Sequence, residues 1–413
     1  MLRVNREAAM KMLYIAEDRF PPFRVDVVEL FAKQIPARGH RVDWLMQRGP
    51  DAVNISSPTN WLGNEVYLTP RSRCNGLLGR VLNNMLGMLG DFMILPLAFK
   101  GQYDVIQVRD KFFACLIAWI AARLTGARFV YWMSYPFAES KLYEARNRLV
   151  AYRHLVWLKG QIIWVLLYKI ILPLADHIFV QSERMKQDVA QKGIATSKMT
   201  SVSMGVRADL VGKAEDAIAP STIAPLLLHL GVIMQSRQSE MLVRVLERVR
   251  LHYPDARLLF VGEGQHPSDR RAVEDEATRL GLSVDVNVTG FLPMEQAWEL
   301  VKRADICLSA IAPIPIFLVS SPTKLIEYMA MAKCIVANEL PEQCQVMETS
   351  GVGRCIPWDE QSFADEICYL LKNPEYARMM AAKGPDWVRA HRTYDVIADR
   401  VESQYRKLLG PMD

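Results

Sequence analysis

Residues Ser320 to Asn338 read SSPTKLIEYMAMAKCIVAN, and their types and order suit the recognition of an anion beside a hydroxyl. Ser321 is placed to cap a helix whose first turn holds Pro322. The amides of Thr323, Lys324 and Leu325 then lack intrahelical acceptors and sit at the positive end of the helix dipole, an arrangement that receives phosphate. Glu327 follows one turn later on the face it shares with Lys324 and Thr323, while Leu325, Ile326 and Met329 turn toward a core. A carboxylate accepts from sugar hydroxyls and amides donate to phosphate oxygens, so the stretch fits a ligand built like a nucleotide sugar. An ordinary helix start with a solvated glutamate has the same local pattern, and the choice rests on the elements around it.

Those elements are short apolar runs alternating with helical patterns, which predicts an α/β fold of parallel sheets covered on both faces. A chain of 413 residues fits two domains of about 200 residues each. In the first half the strands are MLYIA, RVDWLM, DVIQV, RFVYWM and HIFVQ; residues 49–80 show no clear period and read as a mobile insertion. Residues 204–222, polar and weakly periodic, read as the linker, with domains over 1–212 and 213–392. Beyond it LLLHL is followed by Gly231, RLLFV by Gly262-Glu263-Gly264, DVNVT by Gly290, and DICLS by a long loop and the Ser321 helix. In a parallel sheet all four loops lie at the carboxyl edge, where open α/β folds bind ligands.

Arg237 stands just before the helix that follows the first of these loops, and its planar fork suits a diphosphate. Glu263 lies between two glycines that let backbone approach a ligand, and Gly290 and Phe291 offer backbone groups and one aromatic face to a nucleobase. A surface charge, a tight turn and core packing of Phe291 are the corresponding plain readings. The fourth loop, AIAPIPIFLVSS, is apolar and proline-rich, and either lines the ligand cleft or packs on a helix layer. In the first domain Arg24 and Asp26 follow the first strand, Arg109 and Asp110 follow DVIQV, and Ser134 and Tyr135 follow RFVYWM. These pairs are expected to face the cleft on the acceptor side, the alternative being salt bridges and caps.

Composition narrows the classes. The chain is 51% hydrophobic and 23% charged, as in globular proteins. Residues 1–210 hold 28 Lys+Arg against 17 Asp+Glu and the remainder 22 against 28, so a basic half precedes an acidic one. No nucleic-acid module appears, and the basic half points to an anionic substrate or an anionic membrane surface. Residues 143–169 interleave Arg146, Arg148, Arg153, Lys159 and Lys169 with Tyr152, Trp157, Trp164 and Tyr168, as interfacial helices do, or as a partly buried surface helix does. The most apolar window, Ile162 to Val180, contains Lys169, Asp176 and His177, which argues against a span. Seven scattered cysteines without a Cys-x-x-Cys pair, and no apolar signal core ahead of MLYIA, predict a cytoplasmic protein without structural zinc. With no Asp-x-Asp triplet, no essential metal is expected, and Lys, Arg and amides must neutralise a bound diphosphate.

Taken together, LGVIMQSR, LLFVGEG, VTGFLPMEQAWELVKRADICLS and SPTKLIEYMAMAKCIVAN, in this order and spacing, resemble the retaining glycosyltransferases of family 4. The likeness is most specific from Leu226 to Trp358; IAEDRFPPF and ARGHRVDWL extend it through the first half. It implies the GT-B fold of two Rossmann-like domains facing across a cleft, the first taking the acceptor and the second the nucleotide sugar. It implies that Arg237 holds the diphosphate, that Glu327 contacts the ribose, and that Gly290 and Phe291 meet the base. Ser320, Ser321 and Thr323 then lie at the phosphate and donor sugar, and the last helix, residues 393–410, crosses back onto the first domain. The expected reaction moves a hexose from a UDP- or GDP-sugar to a hydroxyl of a lipid-linked saccharide, with configuration retained, at the inner face of a membrane. The sequence departs from the pattern at Val319, where a first glutamate is usual, at Val232, where an arginine often stands, and at Arg24-Val25-Asp26, which replace a glycine pair. The loop YWMSYP lacks a histidine often found there. A nucleotide-sugar epimerase on the same fold and a non-catalytic partner in a membrane polysaccharide assembly are the competing readings.

Overall fold

The computed structural model describes residues 9–74 and 76–410. The chain divides into two compact units, one of residues 1–203 with 397–413 and one of residues 204–396.

The first unit is built on strands β1 (Lys11–Phe20), β2 (Arg41–Arg48), β3 (Thr59–Trp61), β4 (Asn64–Leu68), β5 (Val105–Arg109), β6 (Arg128–Met133), β7 (His177–Val180) and β8 (Met199–Ser201). Their order is β3-β4-β2-β1-β5-β6-β7-β8, and every pairing is parallel except the β3-β4 hairpin. The near-continuous apolar runs have a simple cause: strands covered by helices on both faces bury every side chain, as β5 does along its whole length. Tyr14, Phe31, Trp44, Trp132 and Phe179 stack through the middle of this core with centroids 4.6 to 5.1 Å apart. Helix Tyr394–Leu409 returns to this unit, where Tyr405 donates to the buried Gln107 Oε1, Glu402 meets His40 at 3.0 Å and Asp399 meets Arg38 at 2.6 Å.

The second unit holds β9 (Leu226–Leu230), β10 (Arg257–Val261), β11 (Val286–Val288), β12 (Ile306–Ser309), β13 (Cys334–Asn338) and β14 (Cys355–Ile356). All pair in parallel in the order β11-β10-β9-β12-β13-β14. The chain thus winds one way from β9 to β11 and the other way from β12 to β14. The reversal leaves a crevice at the carboxyl ends of β9 and β12, the position where such sheets take ligands.

Two segments differ from their sequence reading. Residues 49–80 are structured: β3 and β4 form a hairpin on the sheet edge through Leu62 (φ 53°) and Gly63 (φ 83°), and helix Gly76–Gly90 begins within the same segment. A two-residue primed turn between strands this short leaves too little alternation to read. Residues 204–222 are no free linker, because their backbone finds partners in the second unit. Val206 bridges Thr393, the Gly212 amide donates to Ala330 O at 2.9 Å, and Arg392 donates to Met204 O at 3.3 Å.

Candidate functional site

Three loops at the carboxyl edge of the second sheet are laced together by backbone. The Gly231 amide donates to Val261 O at 2.9 Å, Ile233 bridges Gly264, and Gly262 bridges Gly290. A Cβ on Gly262 would lie 2.1 Å from Gly231 O, so no other residue fits between the first two loops. The fourth connection enters through helix Thr323–Ala330: the Lys324 ammonium reaches under the first loop to 3.0 Å from His229 Nε2. Helix Met294–Arg303 adds Trp298, whose indole N–H donates to Glu327 Oε1 at 3.1 Å. Residues from four successive crossovers therefore meet at one rim.

Positive charge dominates this rim. His229 is the fourth residue of β9, buried, with Nδ1 3.2 Å from Leu308 O. A carbonyl only accepts, so Nδ1 carries the proton and Nε2 is left to accept from Lys324. Burial, with Lys324 and Arg237 close by, holds the imidazole well below its ordinary value, that is, neutral. Burial likewise pushes the Lys324 amine well down and Arg237 adds to the push, while Glu327 partly opposes it. Glu327 is half-buried; burial raises its carboxyl, and the Trp298 bond and Lys324 offset part of the rise. The Arg237 guanidinium lies 5.5 Å from the centroid of Phe317, a residue of the proline-rich loop. Arg237 thus lies near Lys324, and Lys324 near Glu327, on an eight-residue helix whose start has no side-chain cap. The arrangement receives a multiply charged anion and leaves one acceptor for hydroxyls.

The other predicted residues divide. Phe291 is 85% exposed beside the Gly262–Gly290 bridge, so its ring is not core and stands free to stack. Glu263 accepts from the Gly264 amide at 2.9 Å and from Arg270 at 3.4 Å, and would lie 3.3 Å from a Cβ on Gly290. Thr323 opens the helix, and Ser320 Oγ donates to Phe317 O at 2.6 Å. Ser321 is a correction: Pro322, not Ser321, occupies the cap position, and Ser321 is buried, accepting from the Met204 amide at 2.9 Å and donating to Glu342. Glu342 in turn pairs with Arg392 at 2.9 Å, so this hydroxyl anchors the chain entering the second unit and is not offered to a ligand. Most of the proline-rich loop is packed, with Ile311, Ala312, Ile316, Phe317 and Val319 buried and Asn338 exchanging two 2.9 Å bonds with the Ile311 backbone. His229 and Trp298 were not legible as site residues. A lone histidine near the carboxyl end of an apolar strand was the available signal for the first; nothing in MEQAWELVKR marked the second.

The acceptor-side residues need correction in the first unit. Asp26, Arg109, Asp110 and Ser134 do gather at the carboxyl ends of β1, β5 and β6, but they are buried and satisfy one another. Arg109 bonds Asp26 and lies 3.7 Å from Asp110, while Ser134 donates both its hydroxyl and, at 3.1 Å, its amide to Asp110. Charges buried at this depth must pair, and pairing consumes them. Arg24 turns outward to Asp18 at 2.9 Å, and the Tyr135 hydroxyl donates to Ser140 Oγ at 3.2 Å.

Two Rossmann-like parallel sheets with a nucleotide-type rim on the second define a GT-B protein, and solved structures agree along the whole chain. Sucrose-phosphate synthase of Thermosynechococcus elongatus superposes with a TM-score of 0.72 at 15% identity, covering 97% of this chain and 99% of that one. A glycosyltransferase of Rickettsia africae gives 0.70 at 16% identity over 98% and 100%, and Anabaena HepE in complex with UDP and glucose gives 0.67 at 15% over 96% and 100%. No curated protein matches the sequence. Residues 26–210 match the family profile described as Glycosyltransferase Family 4, and residues 224–373 the profile described as Glycosyl transferases group 1. Between them the two matches take in most of the sequence, and the chain belongs to this family of glycosyltransferases.

Proposed function

We propose that the protein transfers a hexose from a nucleoside diphosphate sugar to a hydroxyl of a lipid-linked saccharide, with the anomeric configuration retained, in the synthesis of a cell-surface polysaccharide or glycolipid. The observation that carries this reading is Lys324, on an uncapped helix start, with Arg237 and Glu327 both close to it. HepE, which shares the fold, binds UDP and glucose, and this supports a hexose donor.

In the reaction the bond from the anomeric carbon to the diphosphate breaks, and one from that carbon to the acceptor oxygen forms. The leaving diphosphate gains charge, and Arg237, Lys324 and the amides of Thr323 and Lys324 stabilise it as it does so. The acceptor hydroxyl gives its proton to a diphosphate oxygen on the same face, which keeps the configuration and needs no protein base. Glu327, held by Trp298, accepts from the ribose hydroxyls and fixes the nucleotide. Val319 is buried and apolar where a second carboxylate would meet the donor sugar, so the sugar is held by backbone and phosphate contacts.

Purified protein incubated with a panel of nucleoside diphosphate hexoses, with and without lipid-linked acceptors, is expected to release nucleoside diphosphate only when acceptor is present and to give a product of unchanged anomeric configuration by NMR. Glu327→Ala and Arg237→Ala should each weaken the donor KM or kcat by at least tenfold. Wild-type rates in both variants would remove the site. Donor consumed without acceptor would make the protein an epimerase or a hydrolase, and donor binding without turnover would make it a binding partner.

A further inference from the structure

One flank of the first unit leaves large apolar side chains uncovered. Helix Gly76–Gly90 exposes Leu78 at 84%, with Val81, Met85, Met88 and Leu89. It runs on through Phe92 into helix Ile94–Gly101, which packs on helix Phe112–Thr125, which packs in turn on Leu166–Ile171. Phe99, Phe113 and Ile120 continue the exposed surface across these neighbours, and Leu155, Trp157 and Ile162 are exposed on helix Arg153–Val165, which runs directly into Leu166–Ile171. The most apolar windows of the two long stretches, Leu78–Gly101 and Arg153–Leu174, are only 33% and 28% buried, far from the cover of core helices. Yet each keeps one side in the fold, Ile94 and Ala98 in the first and Leu167 and Ile171 in the second. A helix that holds a sheet on one side and is apolar on the other lies along an interface; crossing a bilayer would strip those contacts.

Along these stretches the charge has one sign, and Glu139 and Glu144 on the adjoining helix Phe137–Arg146 are each paired with a lysine. From Arg146 to Leu174 the chain carries Arg146, Arg148, Arg153, Lys159 and Lys169 and no Asp or Glu. Helix Phe112–Thr125 has no acid either, and the only one from Gly76 to Gly101 is Asp91, buried against Lys111. A second copy docked here would oppose like charge to like. An anionic bilayer offers both the apolar interior and the countercharge.

At the start of helix Gly76–Gly90 lies a cavity of about 200 Å³ lined by Arg19, Arg71 and Arg80 with Asn83 and Asn84 and, among the described residues, by no carboxylate. The helix passes over the carboxyl edge of the sheet, for a Cβ on Gly87 would touch Gln47 and one on Gly90 would meet Thr69. Three cationic forks at that edge, beside an uncovered apolar helix, match an amphiphile with a phosphate head. We infer that this flank rests on an anionic membrane and that Arg19, Arg71 and Arg80 receive the phosphate of a lipid-linked acceptor held there. The acceptor assignment rests on the transferase reading; the docking of the flank does not.

The test is co-sedimentation of the full chain with vesicles of phosphatidylcholine, of phosphatidylcholine with phosphatidylglycerol, and of the same charge supplied as phosphatidic acid, whose phosphate is terminal. Binding is expected only to the two anionic vesicles, weakening with salt, and several-fold tighter to phosphatidic acid. Met85→Gln with Leu89→Gln should lower both affinities at least tenfold. Each arginine near an anionic surface adds about fivefold to partitioning, so Arg19→Gln with Arg80→Gln should lower both too, but should bring the ratio of the two affinities to one. Circular dichroism and thermal unfolding of every variant report that the fold is kept, and because no donor enters the vesicle assay a failed transferase reading leaves its result standing. The inference falls if anionic vesicles are not bound, if the apolar variants alter self-association and not vesicle binding, if the ratio survives loss of the arginines, or if inorganic phosphate binds as tightly as vesicle-borne phosphatidic acid.

Discussion

Replacing Lys324 with methionine separates a ligand-binding role from a structural one, because the two predict opposite signs. The amine is buried, its partner His229 is neutral, and Arg237 adds like charge, so the free protein holds Lys324 at a cost. Its folded value lies below the ordinary 10.5, so the unfolded chain binds the proton more tightly, and the cost grows as pH falls from 10.5 toward the depressed value. Methionine fills similar length without charge, so Lys324→Met should leave the melting temperature unchanged or raise it. On the proposed function the same change would remove one charge-assisted bond to the diphosphate, about 1.5 to 3 kcal/mol, or about 10- to 150-fold in affinity. Isothermal titration with nucleoside diphosphates and thermal unfolding of wild type and variant read both quantities. On the proposed function, diphosphate pairing raises the Lys324 value, so within the window between the depressed value and 10.5 binding takes up a proton and affinity falls as pH rises. A variant that melts several degrees lower and binds nucleotide as before would show that Lys324 is a structural tie and refute the reasoning.

Two further outcomes follow from the first unit. Burial, with Lys186 a smaller cause, holds His177 down to about 4. The unfolded imidazole therefore binds its proton first, and stability is complete above about pH 6.5 and falls by up to about 3 kcal/mol as pH drops to 4; His177→Gln should flatten the fall in urea midpoint between pH 7 and 4 by that amount, and an unchanged slope would place the acid sensitivity elsewhere. Asp26→Ala leaves Arg109 buried without its closest partner and should cost about 3 to 5 kcal/mol in urea unfolding, whereas a loss of activity with stability intact would return Asp26 to the acceptor site.

What was legible in the sequence was whatever local periodicity decides. LLLHL, RLLFV and RFVYWM became strands over their written limits because a strand buried on both faces must be apolar throughout, and no other element of that length is. The loops at the carboxyl edge followed from the parallel order, and with them Gly231, Glu263, Gly290 and Glu327. What was not legible depends on partners distant in the chain. Ser321 reads as a cap from its neighbours, but Met204 and Glu342, 117 and 21 residues away, claim its hydroxyl. Asp26 meets Arg109 across 83 residues and His229 meets Lys324 across 95, and no local pattern encodes either. The exposed face of helix Gly76–Gly90 was lost for a different reason: residues apolar nearly all round read as neither period, and only the fold shows which side lacks cover.

The two sheet edges treat buried charge in opposite ways, and the difference separates their roles. In the first unit Asp26, Arg109, Asp110 and Ser134 close on one another, and Asp110 holds a left-handed backbone (φ 53°) while accepting from Ser134. Such a network is complete without a ligand, so it stiffens the loops at this edge, and on the proposed function contact with the acceptor would fall to the exposed groups around it. In the second unit Arg237 and Lys324 stand together at one rim, with a neutral imidazole behind the lysine and a single carboxylate already engaged by Trp298. Like charges brought together under partial cover raise the free energy of the empty protein. On the proposed function a bound diphosphate would reverse that cost, and the reversal would grow as the leaving group gains charge, so the same residues would favour the transition state over the bound donor.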